Sequence, residues 1–163
     1  MYGKKIIDQL LQETDKRLSV NASIVLIGGA VLIAKYLSPR GTMDVDTYAK
    51  FSSEVAEAWS QAEKSLGVAV PLSRAIVSEG PYNMEDRFER YDDLQLTKLT
   101  VLIPSAIDLI MMKITRLFGK DLDDILFIIK GQKIAESDLL KIFKNEMGHI
   151  TGSADEIRSK YLL

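Results

Sequence analysis

Between Ser23 and Lys35 the chain is apolar throughout, and two adjacent glycines, Gly28 and Gly29, cut that run in half. It falls short of the ~18 to 20 uncharged apolar residues that a membrane helix needs. Its two halves also differ in kind. Ile24-Val25-Leu26-Ile27 is aliphatic and mostly β-branched, as expected of a short buried strand ending in a tight turn at the glycines. The segment AVLIAKYL that follows reads as a helix leaving the turn. Strand, glycine turn and helix in direct succession fix the middle of the fold, and the rest of the chain must pack around them.

Upstream, Ile6, Ile7, Leu10, Leu11 and Leu18 recur at spacings close to one helical face, so Lys4 to Leu18 is expected as an amphipathic helix and not as a signal peptide. Downstream, the turn Ser38-Pro39-Arg40-Gly41 leads to MDVDTYA, whose alternation predicts a second strand beside the first. A long helix is expected from about Ser52 to Leu66, capped by Ser52 or Ser53 and stopped before Gly67. Residues 68 to 90 carry little pattern. RFERYDDLQLTKLTVLIP reads as two strands joined near Asp92-Asp93, the second being Lys98 to Ile103.

Pro104 then opens a helix with the apolar stripe Ile107, Ile110, Met111, Ile114 and Phe118, closed by Gly119. A further helix is expected from Asp121 to before Gly131, burying Leu122, Ile125, Leu126 and Ile129. Another, Leu139 to Met147, is capped by Ser137-Asp138, and a last helical turn is expected over Ala154 to Leu163. Strands early and helices late predict an α+β fold: a short mixed sheet flanked by helices, with a C-terminal helical tail. The 163 residues suit one domain, with about 1–103 as sheet core and 104–163 as tail.

Composition narrows the chemistry. There is no cysteine and one histidine, His149, which removes thiolate nucleophiles, disulfides and thiolate or His-rich metal cages. A net charge of -2 gives no general attraction for nucleic acid. A cytoplasmic protein working through carboxylates, lysines, hydroxyls and backbone is the simplest expectation.

Asp44 and Asp46 are two apart on an expected strand, so both carboxylates leave the same face while Val45 points into the core. Such a pair suits a hard divalent cation, Mg2+ or Mn2+, held with substrate phosphates; a solvated strand end is the plainer reading. Gly28-Gly29 suits close approach of a phosphate to the backbone at a helix start; a simple strand-to-helix turn is the alternative. Tyr82, Phe88 and Tyr91 interleave with Arg87 and Arg90 in a pattern able to stack a base, although hairpin packing explains it more simply. Trp59 reads as core and His149 as an exposed turn residue.

Taken together, strand, GG, helix and then Arg40-x-Thr42-x-Asp44-x-Asp46 form the pattern GG…R-x-T-x-D-x-D, which resembles the nucleotidyltransferases of the DNA polymerase beta superfamily. The second block, PSAIDLIMMKITRLFGKDLDDI, is similar to the downstream motifs of AbiEii-like toxins and related small bacterial nucleotidyltransferases. The resemblance implies transfer of a nucleoside monophosphate from an NTP to an acceptor hydroxyl, on RNA or protein, and it implies an antitoxin partner if the chain is a toxin. It assigns Asp44 and Asp46 to the metal ions, Gly28, Gly29, Arg40 and Thr42 to the nucleotide, and Lys113 to the triphosphate. Asp121 and Asp124 would lie in or beside the site, although acids in a helix's first turn also serve its dipole. A third carboxylate is expected on a later strand; Lys98 to Ile103 has none, and Asp92 is the candidate. The absence of an obvious third acid supports the alternative, a non-catalytic module of the same fold that binds a nucleotide or a protein partner.

Overall fold

A computed structural model describes residues 1–75 and 79–149. They form an α+β fold with six α-helices and a five-stranded mixed sheet, and the C-terminal part is helical. The contacts divide the chain into two compact units, Met1–Ile76 with Glu89–Ile103, and Val77–Phe88 with Pro104–Leu163.

In the first unit, α1 (Lys4–Arg17) is followed by β1 (Ala22–Ile27), which runs without a loop into α2 (Gly28–Ala34). From Ala30 to Ala34 every residue of α2 is buried, as a helix apolar all round must be. β2 (Val45–Thr47) is shorter than its alternating pattern promised. α3 (Ser53–Leu66) starts where expected, with Ser52 Oγ accepting from the Val55 amide at 3.2 Å, and ends at Gly67 in the left-handed region. β3 (Leu72–Arg74) lies in the stretch whose pattern was weakest. β4 (Glu89–Arg90) and β5 (Leu99–Ile103) form the expected antiparallel pair.

The strand order is β3-β2-β1-β5-β4; β1 is antiparallel to β2 and parallel to β5, and β2 is parallel to β3. Ile24, Leu26, Val45, Thr47, Leu99, Val101 and Ile103 alternate into the core, with α1 packed on both α2 and α3. Trp59 belongs to this core, 2% exposed, its indole N–H donating to the Val70 carbonyl at 2.8 Å. Asp15 is buried at the end of α1, where the consecutive amides of Thr97, Lys98 and Leu99 and the Thr97 hydroxyl all donate to its carboxylate. It fixes the entry to β5.

The second unit contains a 3-10 turn at Met84–Arg87 and the helices α4 (Ala106–Arg116), α5 (Asp121–Gln132) and α6 (Glu136–Glu146). α4 begins at the Ser105 cap, one residue beyond the proline expected to open it. Three helical expectations are corrected. Phe118, expected in the buried stripe, is 79% exposed because the chain turns left-handed at Leu117. Leu122 and Leu126 of α5 are exposed, while Asp121, Asp124, Ile125 and Ile128 face inward, and the helix runs through Gly131. α6 starts at Glu136 with no side-chain cap, so Ser137 and Asp138 lie inside its first turn. The turn expected over residues 154–163 falls outside the described residues.

Arg87 ties the 3-10 turn to the helices. Its guanidinium bonds the fully buried Asp108 of α4 (2.6 and 3.1 Å) and Glu146 of α6 (2.8 and 3.0 Å). No helix among the described residues is long and apolar enough to cross a membrane.

Candidate functional site

The geometry of the first block follows from the β1–β2 register. Ile27 stands opposite Asp46, so the turn that follows Ile27 lies beside that carboxylate. Gly28 adopts φ +66°, a left-handed conformation that glycine takes without the strain of a Cβ. A Cβ there would lie 3.8 Å from Asp46 Oδ2, and one on Gly29 would come within 3.2 Å of Thr42 Oγ1. The glycine pair is therefore packed against Thr42 and Asp46, and the four residues form one locus within the first unit.

Thr42 is buried, and its hydroxyl donates to Asp44, to the carbonyl at 2.9 Å and to Oδ1 at 3.2 Å. Its backbone is bridged in both directions to Tyr2, at 2.7 and 2.9 Å. Gly41 leaves the room for this bridge, since a Cβ there would stand 2.7 Å from that of Met1. Asp44 is exposed and immediately precedes β2, whereas Asp46 is half-buried on the strand, between the inward-facing Val45 and Thr47. Arg40 sits in the preceding turn, with its amide on Ser38 Oγ at 3.4 Å.

Ser73, which the sequence pattern did not single out, stands beside the acidic pair. The parallel β2–β3 register sets it alongside Asp46, and its hydroxyl donates to Asp46 Oδ1 at 3.1 Å. The donors gathered here are all oxygens: two carboxylates, each with a hydroxyl partner. This set fits Mg2+ or Mn2+, for which one or two carboxylates plus substrate phosphates suffice. Among the described residues no group of three or more His, Cys, Asp or Glu is placed to hold a metal ion.

Asp92 does not join the pair. It follows β4 at the other edge of the sheet, about three strand spacings (~14 Å) across from β2, and pairs with Arg90 at 3.0 Å.

Lys113, Asp121 and Asp124 lie in the second unit and meet one another there. Lys113 is 4% exposed, and its ammonium bonds Asp121 at 3.0 Å and Asp124 at 2.8 Å. Arg116 clasps Asp121 through two nitrogens (2.8 and 3.0 Å), and the Phe118 amide adds a third donor at 2.9 Å. Burial alone would raise the Asp121 pKa, but Arg116, the amide and Lys113 outweigh it and bring it down to about 2.

Members of the aromatic and arginine run are engaged within their own units. Tyr91 is buried with its hydroxyl on Asp8 at 2.9 Å and bonded by Lys4, Arg87 serves Asp108 and Glu146, and Tyr82 meets the exposed His149 ring edge-on at 4.9 Å.

Neither the curated proteins nor the solved structures provide a match to the chain. A family described as a nucleotidyltransferase of unknown function (DUF6036) matches residues 4–160. That span takes in the glycine turn, the acidic pair and the Lys113 cluster together, and the chain belongs to this nucleotidyltransferase family.

Proposed function

We propose that the chain transfers a nucleoside monophosphate from an NTP to an acceptor hydroxyl at the locus formed by Gly28, Gly29, Thr42, Asp44 and Asp46, in the manner of the DNA polymerase beta superfamily and its AbiEii-like members. The observation that supports this reading is the register of Ile27 with Asp46, which sets an acid that suits Mg2+ or Mn2+ beside a turn without side chains. When bound, such a cation neutralises phosphate oxygens and favours in-line displacement. The chain's own part is positional. Asp44 and Asp46 supply the ligand oxygens, Thr42 orients Asp44, the two glycines leave backbone exposed for a phosphate, and Arg40 serves the nucleotide from the neighbouring turn.

Lys113, Asp121 and Asp124 are assigned to holding α4 against α5, because the ammonium is buried and engaged by both carboxylates. A net charge of -2 weights the acceptor toward a protein hydroxyl over RNA; a toxin role with an antitoxin partner rests on the AbiEii likeness alone. A second reading, nucleotide binding without transfer, is favoured by one observation. The residue alongside Asp46 on β3 is a serine and not a third acid.

Two measurements on the full chain separate these readings. Thermal stabilisation by NTP with Mg2+ or Mn2+ reports binding, since ligand at ~100 times its Kd adds about 2.7 kcal/mol. Labelled NTP incubated with cell extract reports transfer. An Asp44→Asn, Asp46→Asn double variant is expected to lose both signals. Equal labelling by the native and double-variant chains rules out the site, and stabilisation without labelling selects the second reading.

A further inference from the structure

We infer that Ser73 is a positioning residue for the acidic pair, fixing which oxygen of Asp46 is turned to the glycine turn; the inference rests on the reading of Asp44 and Asp46 as cation ligands. The two oxygens of Asp46 have different neighbours. Oδ1 accepts from Ser73 Oγ at 3.1 Å, whereas Oδ2 is the atom that a Cβ on Gly28 would approach to 3.8 Å. The terminal torsion of an aspartate is broad and nearly two-fold, so the covalent structure does not choose between the oxygens. A hydroxyl on the next strand does. Asp44 has a hydroxyl beside it as well, that of Thr42 two residues upstream, 3.2 Å from Oδ1.

Ser73 has little other work. It is exposed on a three-residue strand. Backbone hydrogen bonds hold that strand without it, from the Val45 amide to the Pro71 carbonyl at 2.9 Å and from the Ala75 amide to the Thr47 carbonyl at 3.0 Å. Removing the hydroxyl therefore leaves β3 in place and takes one donor from the Asp46 carboxylate.

The test is Mn2+ binding to the full chain, read from the paramagnetic resonance signal of the free ion, with thermal midpoints recorded in parallel. Ser73→Ala is expected to raise the Kd for Mn2+ roughly five- to tenfold, the scale of one lost hydrogen bond, with the midpoint nearly unchanged. Ser73→Thr is expected to retain native affinity, and its near-isostere Ser73→Val to match the alanine variant. The Thr and Val pair keeps the comparison valid if alanine disturbs the strand. Native-like affinity in both Ser73→Ala and Ser73→Val, or loss in Ser73→Thr, overturns the role of Ser73 while leaving the acids as ligands. If the native chain binds no more Mn2+ than the Asp44→Asn, Asp46→Asn chain, the reading of the acids fails, and the role of Ser73 with it.

Discussion

Gly28 is constrained by its backbone and lies within contact distance of the acidic pair. An L-residue at φ +66° costs about 1 to 2 kcal/mol, and its methyl would lie 3.8 Å from the Asp46 carboxylate. Gly28→Ala is therefore expected to lower stability by about 1 to 2 kcal/mol in urea unfolding and to weaken Mn2+ binding as well; a stability loss with native affinity would separate the turn from the site. The residues legible in the sequence were those whose chemistry is unusual wherever it occurs: paired glycines after an aliphatic run, and paired acids on an alternating segment. Ser73 was not, because a serine has no weight until its neighbour across the sheet is known. Pro71 also weakened the strand pattern around it. At the start of an edge strand its missing N–H costs no ladder bond, and its carbonyl still accepts from Val45.

At the scale of elements, α5 shows how polar partners override an apolar pattern. Counting aliphatic residues turned Leu122 and Leu126 inward, yet both are exposed, at 40% and 49%. Asp121 and Asp124 take the inward face because Lys113, Arg116 and the Phe118 amide supply their hydrogen bonds. A helix periodicity records which side is apolar, not which polar groups will find partners, and those partners lie on α4 and the turn that follows it. α3 was legible to its ends because its cap and its stop, Ser52 and Gly67, are local. The cluster predicts a large effect. Lys113→Met leaves Asp124 buried without its ammonium and is expected to cost about 3 to 5 kcal/mol, whereas adding Asp124→Leu is expected to recover most of that loss. Urea unfolding of the single and double variants checks this, and a Lys113→Met chain as stable as the native one would show that the ion pair does not hold the helices.

Each of the two units depends on carboxylates held ionised, which makes acid sensitivity a property of the whole molecule. In the first, burial opposes ionisation of Asp15, but the amides of Leu99, Thr97 and Lys98 outweigh it and hold the carboxyl below its usual range. In the second, hydrogen bonds from Arg87 lower Glu146, and Asp121 lies at about 2. A carboxyl whose pKa is lower folded than unfolded stabilises fully above the unfolded value, near 4, and loses that contribution as pH falls through the folded value. The thermal midpoint is therefore expected to be flat from pH 7 to about 5 and to fall steadily from about pH 4.5 toward pH 2. Asp121→Asn is expected to be less stable than the native chain at pH 7 and to converge with it near pH 2, since by then the native carboxyl is half protonated. Circular dichroism melts of both chains across this range decide the matter. A midpoint that stays level down to pH 2.5 would mean that these carboxyls titrate alike in the folded and unfolded chain, and that neither the amides at the start of β5 nor the cations around α5 stabilise them.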